Sequence, residues 1–312
     1  MAFLPTLHAM IRGYGLFTGW GPGVESLPAV AREAAAGRRL VPLATPTGNS
    51  ERLRRATRAC LLANAVVAQA LDAMQMPPDA LAGPRTAVVF ASASSYAAAN
   101  WAFLTGDTEN ALYFPYTAPS AVPGEVTIQY GITGPSLIFL SGANAGLEAL
   151  WQAALLLNTG QCDRALVLAV ETFTECADLY TAGRWLLGTP LVETAACVLL
   201  ERHAALSRVC YRAETGAAGV MLADTLLQEQ TVTTVYLCLP TLRAERRVAT
   251  HLQARWPHLA CIDLCTRLGV CLAGTPLIAL MLASAKGRAG DALLISRWWD
   301  TWAGLRWPVG GL

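Results

Sequence analysis

Residues 130–160 read YGITGPSLIFLSGANAGLEALWQAALLLNTG. Within them, residues 136–140 form a short apolar run after the turn signal Gly134-Pro135, which predicts a buried strand. From Leu147 onward, apolar residues recur at the spacing of a core-facing helix. The sequence therefore predicts a strand, a sharp turn and a helix, and it places the turn residues at the positive end of the helix dipole.

This turn resembles the nucleophile elbow of the β-ketoacyl synthases, a family of the thiolase-fold superfamily. Their motif is Gly-Pro-Ser, a short strand, and Thr-Ala-Cys-x-x-Gly at the start of a helix. A cysteine at the positive helix end is a nucleophile with a lowered pKa. Residues 141–146 read SGANAG, so Ala143 takes the position of that cysteine. Because a methyl group can neither attack a thioester nor hold an acyl chain, the best-matching motif lacks its reactive atom.

Two further catalytic motifs of the ketosynthases align with the second half of the chain. Where the family has His-Gly-Thr after a strand, this sequence reads Leu239-Pro240-Thr241. Where the family has Lys-x-x-x-Gly-His, Cys265 replaces the lysine and Val270 the histidine. The closing Gly-Phe-Gly-Gly loop is not recognisable in residues 298–305. Condensation needs a nucleophile and histidines that stabilise the enolate and the oxyanion, so the resemblance implies that no catalytic residue is present. The degenerate positions are Ala143, Leu239, Cys265 and Val270.

The end of the chain repeats the pattern of the elbow. Residues 258–283, HLACIDLCTRLGVCLAGTPLIALMLA, again read as strand, glycine-bearing turn and helix, and residues 291–298 follow as a strand. Periodicity alone predicts an α/β protein with internal repetition. The resemblance implies more, namely a thiolase-like duplicated αβαβα five-layer fold with a shortened second half. We expect an N-terminal half over residues 1–214 and a C-terminal half over residues 215–312, which together form one structural domain.

The composition limits the functions to be considered. The chain has 312 residues, of which 54% are hydrophobic and 14% charged, against about 25% charged in an average protein. Such a chain is expected to hide surface in an obligate interface. A net charge of +1 indicates neither nucleic acid nor an anionic membrane as a partner. Neither a signal peptide nor an apolar run of about 20 residues is recognisable, and nine scattered cysteines predict reduced thiols in the cytoplasm.

The combined features resemble the chain length factors, which are catalytically silent ketosynthase relatives. These subunits pair with an active ketosynthase in type II polyketide systems, and the compact length resembles the shorter factors of aryl polyene assembly. Many of them carry a glutamine linked to decarboxylation at the nucleophile position, and Ala143 has no such amide. The resemblance implies a non-enzymatic subunit that shapes an acyl tunnel in a heterodimer with a full-length β-ketoacyl synthase. It would meet the acyl carrier protein only through that complex.

Two segments would make the contacts of such a subunit. Thiolase-fold dimers pair the strand before the elbow, so the resemblance places the interface there. The interface residues are then Leu137, Ile138, Phe139 and Leu140. Tyr96, Asn100 and Phe103 share one face of a predicted helix. The resemblance implies that this face lines the acyl tunnel, although the spacing is equally typical of plain core.

A predicted helix near the N-terminal end has two interpretations. Ser50 can cap a helix that runs from residue 51 to about residue 74. Arginines crowd its first turns, which is typical of a solvated helix end and is also compatible with a surface for an acidic partner. These arginines are Arg52, Arg54, Arg55 and Arg58.

Other functions stay open. A thiolase-fold acyltransferase could use a relocated cysteine, for which the candidates are Cys176, Cys265 and Cys271. An inactive homodimeric scaffold is a further possibility. Ser141 has no assignable base in the sequence, and no cofactor is implied. A metal site is not expected, because the spacing of the cysteines and histidines near the C-terminal end matches no standard zinc pattern. Those residues are His251, His258, Cys261, Cys265 and Cys271.

Overall fold

The computed structural model describes most of the chain. It covers residues 7–46, 53, 56–105, 111–178, 189–202, 209–216, 219–227, 231–239, 242–285 and 290–309. No helix in these ranges is long and apolar enough to cross a membrane.

The strands of the first half form one large sheet and one small one. They are β1 (Met10–Thr18), β2 (Gly21–Pro22), β3 (Leu40–Val41), β4 (Thr86–Ala91), β5 (Ser136–Phe139), β6 (Arg164–Glu171), β7 (Leu191–Val192) and β8 (Thr194–Glu201). Six of them form a sheet in the order β2-β1-β8-β6-β4-β5, and β3 pairs with β7 separately. Strand β5 lies at the edge of the large sheet.

The strands of the second half form a five-stranded sheet. They are β9 (Cys210–Thr215), β10 (Val232–Cys238), β11 (Ala260–Asp263), β12 (Gly290–Trp298) and β13 (Thr301–Val309), in the order β11-β10-β12-β13-β9. Apart from the short β2, the first sheet repeats this order as β5-β4-β6-β8-β1. In both sheets the first two pairings are parallel and the last two antiparallel. The predicted internal duplication is therefore confirmed.

Helices fill three layers around the two sheets. They are α1 (Ala31–Ala34), α2 (Arg58–Ala73), α3 (Ser95–Leu104), α4 (Ala121–Tyr130), α5 (Ala145–Asn158), α6 (Gly219–Leu227), α7 (Leu242–Arg255), α8 (Leu264–Leu268) and α9 (Gly274–Ala285). Helices α2 and α4 pack on the outer face of the first sheet, and α6 and α7 on the outer face of the second. Helices α5 and α9 lie between the sheets in the largest core cluster. This is the expected five-layer αβαβα arrangement.

The central strands are apolar on both faces because helices cover both faces. In β6, Leu166 and Leu168 face the outer helices, whereas Ala165 and Val167 face the middle layer. Strand β8 alternates in the same way, with Leu199 outside and Val198 inside. The continuous apolar runs in the sequence are thus explained by a sheet that is buried on both sides.

Two element positions are set by the tertiary structure. Strand β9 follows β8 in the chain but pairs with β13 in the second sheet. The expected division after residue 214 falls within β9. Helix α2 is capped by Thr57, whose side chain accepts a hydrogen bond from the amide of Cys60. The expected cap Ser50 lies outside the described residues, as do Arg52, Arg54 and Arg55.

The two central helices approach each other through a glycine. Added to Gly146 in α5, a Cβ atom would come within 2.3 Å of the carbonyl oxygen of Ala273, just before α9. Gly146→Ala is therefore expected to lower the free energy of unfolding, by about 1–3 kcal/mol if it acts like other overpacked sites. Gly124 in α4 is the control, because a Cβ atom there would meet nothing within 4 Å.

Gly124→Ala should be neutral or stabilise the protein by up to about 1 kcal/mol, since alanine is the better helix former. Urea unfolding of the two variants measures the difference. Equal stability of both variants would contradict the close approach of α5 to Ala273.

Candidate functional site

The predicted elbow is present between β5 and α5. Ala143 lies in a short turn, Gly142–Asn144, directly before α5, and only 2% of its surface is exposed. The Ser296 hydroxyl on β12 donates to the carbonyl oxygen of Ala143 at 3.1 Å. The Asn144 side-chain amide donates to the carbonyl oxygen of Thr301 on β13 at 3.0 Å. The elbow of the first half is thus tied to the β12–β13 hairpin of the second half.

The tip of that hairpin covers the elbow. Trp298 pairs with Thr301, so Trp299 and Asp300 alone form the turn. The indole of Trp298 lies directly over Gly142, where a Cβ atom would come within 2.2–2.3 Å of three ring atoms. Gly142 also has a positive φ of 65°, a conformation that glycine adopts readily. A tight hairpin thus holds a tryptophan against the elbow.

Two of the degenerate positions meet at this tryptophan. Cys265 in α8 and Val270 after it belong to one buried apolar cluster, against which Trp298 packs. We call this group the site cluster. Its buried members are Phe173, Leu191, Cys265, Val270 and Leu272. Cys265 and Val270 therefore lie in the cluster that contacts Trp298, the residue that packs over Gly142.

Leu239 does not join them. It follows β10 and is buried in the cluster on the outer face of the second sheet. Cys238, one residue earlier, faces the middle layer together with Tyr236. Successive strand residues point to opposite faces, so a shift of one residue in the alignment reverses the face. Cys238 is the residue directed towards the side of the sheet where the site cluster lies, and it also lacks an imidazole.

The candidate cysteines of a relocated site are buried. Burial raises the pKa of Cys176 to about 11 and the pKa of both Cys265 and Cys271 to about 12. Cys265 also lies 3.3 Å from the Thr189 hydroxyl. The thiolate is the nucleophilic form of cysteine, and these pKa values keep each group a thiol at neutral pH.

The residues considered for a metal do not converge. Cys261 packs against the outer cluster of the second sheet, Cys265 lies in the site cluster, and Cys271 lies in the middle layer. His251 faces Asp224 instead, with 3.7 Å between Nε2 and Oδ2. Within the described ranges no three metal-ligating side chains form a group that could hold an ion.

A buried carboxylate beside the site was not identified from the sequence. Glu171 ends β6 and is completely buried. Its Oε1 accepts from the amides of Ala93 at 2.7 Å and Ala273 at 3.2 Å, and its Oε2 from the amide of Ser94 at 3.0 Å. Burial raises the pKa of Glu171 to about 7, although these hydrogen bonds lower it. This one group connects β6, the start of α3 and the start of α9. A charged residue at the end of an apolar strand was the only signal in the sequence.

A second buried carboxylate accounts for the position of the Arg58 side chain. Glu193 is also completely buried, and Arg58 donates to both of its oxygens, at 2.6 and 2.8 Å. Arg58 also donates to Glu175. Burial favours the neutral carboxyl, but the hydrogen bonds from Arg58 and backbone amides hold the pKa of Glu193 below its ordinary value. The interpretation of Arg58 as part of a solvated helix end is therefore wrong, and Arg58 is part of a buried ion pair.

The proposed tunnel helix is observed as α3. Tyr96, Asn100 and Phe103 are all half-buried on it. The Asn100 amide donates to the carbonyl oxygens of Tyr96 at 3.0 Å and Thr117 at 3.1 Å, and the Phe103 ring lies 5.9 Å from that of Phe114. The helix face is therefore attached to the turn over residues 111–117.

The predicted interface strand is at the open edge of the first sheet. In β5 and just after it, Leu137 and Phe139 pack towards the core, whereas Ile138 and Leu140 are 36% and 43% exposed. The Ser141 hydroxyl donates to the carboxylate of Glu148, so a base lies nearer to it than the sequence indicated. An edge strand with exposed apolar side chains is suited to pair with another chain.

These layers and this elbow define a thiolase-like fold of the ketosynthase type. The family model "Beta-ketoacyl synthase, N-terminal domain" matches residues 44–203, which is half of the chain. The chain therefore belongs to the β-ketoacyl synthase family.

Solved structures share the fold at low sequence identity. One is AntDE:AntF, described as a type II PKS acyl-carrier protein in complex with its ketosynthase bound to the hexaketide. It has a TM-score of 0.77 and 14% identity, and the match covers 98% of this chain and 100% of that one. The ishigamide ketosynthase/chain length factor has a TM-score of 0.73, 18% identity, and coverage of 97% and 100%.

A β-ketoacyl synthase from Burkholderia phymatum STM815 has a TM-score of 0.75, 14% identity, and coverage of 97% and 99%. The comparison with curated proteins finds no match.

The pKa of Glu171 predicts a pH dependence of stability. Its folded-state pKa of about 7 lies above the ordinary value of 4.5, so its contribution is fully present below pH 4.5 and is lost as the pH rises through 7. The difference in unfolding free energy between the wild type and Glu171→Gln should therefore fall by about 3 kcal/mol between pH 4.5 and 8. Urea unfolding at several pH values measures it.

Glu193→Gln is the matched control for this measurement. The pKa of Glu193 is lowered, so its contribution is present above its unfolded pKa and is lost only at lower pH. The difference between the wild type and this variant should stay constant between pH 5 and 8. Parallel stability curves for the wild type and Glu171→Gln would show that Glu171 does not titrate in this range.

Proposed function

We propose that this chain is a non-catalytic chain length factor. It pairs in the cytoplasm with an active β-ketoacyl synthase and shapes the acyl tunnel in which the partner extends a polyketide or polyene chain. The observation that carries the proposal is the site cluster. At the position of the nucleophile stands Ala143, and Cys265 and Val270, at the positions of lysine and histidine, are packed together in an apolar cluster closed by Trp298. Among the residues that the structure describes, the aligned positions then carry neither a cysteine nucleophile nor the histidines that would stabilise an enolate, which supports a silent site.

The burial of the cysteines argues against a relocated acyltransferase. An attacking thiolate must form and must reach a thioester. Cys176, Cys265 and Cys271 are at most 3% exposed, and burial raises the pKa of each thiol. A thiol of this kind belongs to the inert structural class.

The exposed apolar side chains at the edge of the first sheet favour a partner that covers β5. Ile138 is exposed on the edge strand and Leu140 just after it, and Leu104, Phe114 and Ile128 add further exposed apolar surface on α3, α4 and the turn before α4. An obligate interface of about 2,000 Å² or more would cover such side chains. Two solved structures of the same fold have titles that name a ketosynthase complex or a chain length factor. They support a ketosynthase as the partner of this chain and a carrier protein that binds the complex transiently.

A charge on the edge strand should weaken this pairing. Ile138→Lys is expected to reduce the affinity for a co-expressed ketosynthase at least tenfold, because a lysine would be buried without a partner in an apolar interface. Ala260→Lys is the matched control, since Ala260 is exposed on β11, which holds the same edge position in the second sheet. Isothermal titration measures both affinities.

If Ile138→Lys binds the ketosynthase as tightly as Ala260→Lys does, β5 is not the interface. Self-association of the wild type in place of binding to a ketosynthase would instead favour the homodimeric scaffold.

The second test concerns the length of the product. On α3, the half-buried ring of Phe103 is proposed to close the far end of the tunnel. Phe103→Ala in the reconstituted pair should lengthen the product by one or more two-carbon units, because the removed ring leaves space for further methylenes. Tyr96→Ala should act in the same direction. Mass spectrometry of the released product measures the length.

Trp101→Ala is the control on the same helix, because Trp101 lies on a different face and is exposed. It should leave the product length unchanged while the heterodimer persists. The same length distribution from Phe103→Ala, Tyr96→Ala and Trp101→Ala would reject α3 as the element that limits chain length.

A further inference from the structure

Trp298 packs over the turn that holds position 143. Its ring is in van der Waals contact with Gly142, the residue directly before Ala143. A nucleophilic atom at position 143 would need the reacting carbonyl carbon within about 3–3.5 Å. The indole and the acyl group would compete for the same space.

The hairpin that carries Trp298 is fixed on both sides of the ring. Two residues before it, the Ser296 hydroxyl donates to the carbonyl oxygen of Ala143. Three residues after it, the carbonyl oxygen of Thr301 accepts from the Asn144 amide. Trp298 therefore cannot leave the elbow as a rigid part of the hairpin without the loss of both hydrogen bonds.

The inner side of the ring is also occupied. Trp298 packs against the site cluster, in which Cys265 and Val270 take the places of polar catalytic groups. A half-buried indole that packs against apolar side chains is stabilised by the area removed from water. Apolar residues at these two positions favour the ring in its place, whereas a lysine and a histidine would be desolvated beneath it.

We propose that Trp298 is a built-in plug that excludes acyl thioesters from the elbow, whatever residue stands at position 143. The inference deepens the proposed function, since it rests on a silent site and adds the reason why an acyl chain stays on the partner's side of the complex. Two separate features then keep the site silent, namely the missing nucleophile and the closed approach. The plug is a property of this chain alone and is present with or without a partner.

The alkylation rate of a thiol placed at position 143 measures whether Trp298 blocks access to the elbow. Ala143→Cys, Ala143→Cys with Trp298→Ala, and Ala143→Cys with Trp299→Ala are treated with iodoacetamide, and the peptide that contains position 143 is followed by mass spectrometry. Trp299 is the matched control, because it is the next residue on the hairpin but is 83% exposed. We expect slow alkylation of the single variant and of the Trp299 variant, and at least tenfold faster alkylation of the Trp298 variant.

Fast alkylation of the single variant, or equal rates in all three proteins, would overturn the plug. Cys197 in β8 is a reporter of global unfolding in the same sample, because it is completely buried in the core. If iodoacetamide modifies Cys197 as well as position 143 in the Trp298→Ala protein, that protein has unfolded, and Trp298→Leu is used in its place. Leucine keeps the apolar contact with the site cluster but is too short to cover Gly142. An unchanged rate at position 143 in a folded Trp298→Leu protein would also reject the proposal. The assay needs no ketosynthase, so its outcome is independent of the product-length and affinity tests.

Discussion

Helix α5 lies against the chain that enters α9, and the duplicated fold depends on this contact. The two helices fill the layer between the sheets, and Gly146 lets the backbone of α5 approach the carbonyl oxygen of Ala273. Because each sheet buries one face against these helices, the contact sets the spacing between the halves. It also brings the elbow at the start of α5 beside the turn before α9. The elbow is thus held in place by the packing of the middle layer.

The loops around the elbow are fixed by two buried carboxylates. Glu171 accepts hydrogen bonds from the starts of α3 and α9, and Glu193 accepts from Arg58 and from the loops around Leu43 and Phe173. A buried carboxylate left without such donors would cost several kcal/mol, so each one fixes the loops that satisfy it. The site cluster is apolar and includes Cys265 and Val270, which the sequence comparison aligns with catalytic positions. This combination of a rigid frame and a filled site fits a protein that keeps the shape of an enzyme for a partner.

The surface is consistent with that role. Apolar side chains are exposed on β5, α3 and α4, whereas the corresponding edge strand of the second sheet begins with a small residue, Ala260. The two halves repeat one topology, but their edges differ in the size of the exposed side chains. Large apolar side chains at a sheet edge favour association because their burial is the main gain in free energy on binding. The internal duplication therefore provides two edges, and the side chains make the first of them the better surface for pairing.

The sequence by itself determined the elements whose signals are local. The strand, turn and helix around Ala143 and their repeat near residues 258–298 follow from apolar spacing. The resemblance to the ketosynthases adds the expectation that Ala143, Cys265 and Val270 stand at catalytic positions. The tertiary structure alone decided which strands pair, and it placed β9 beside β13 in the second sheet. It also decided that Leu239 faces away from the site, because a shift of one residue along a strand reverses its face. The roles of Glu171, Glu193 and Trp298 arise from neighbours many residues distant in the chain, and burial by such neighbours leaves no local pattern.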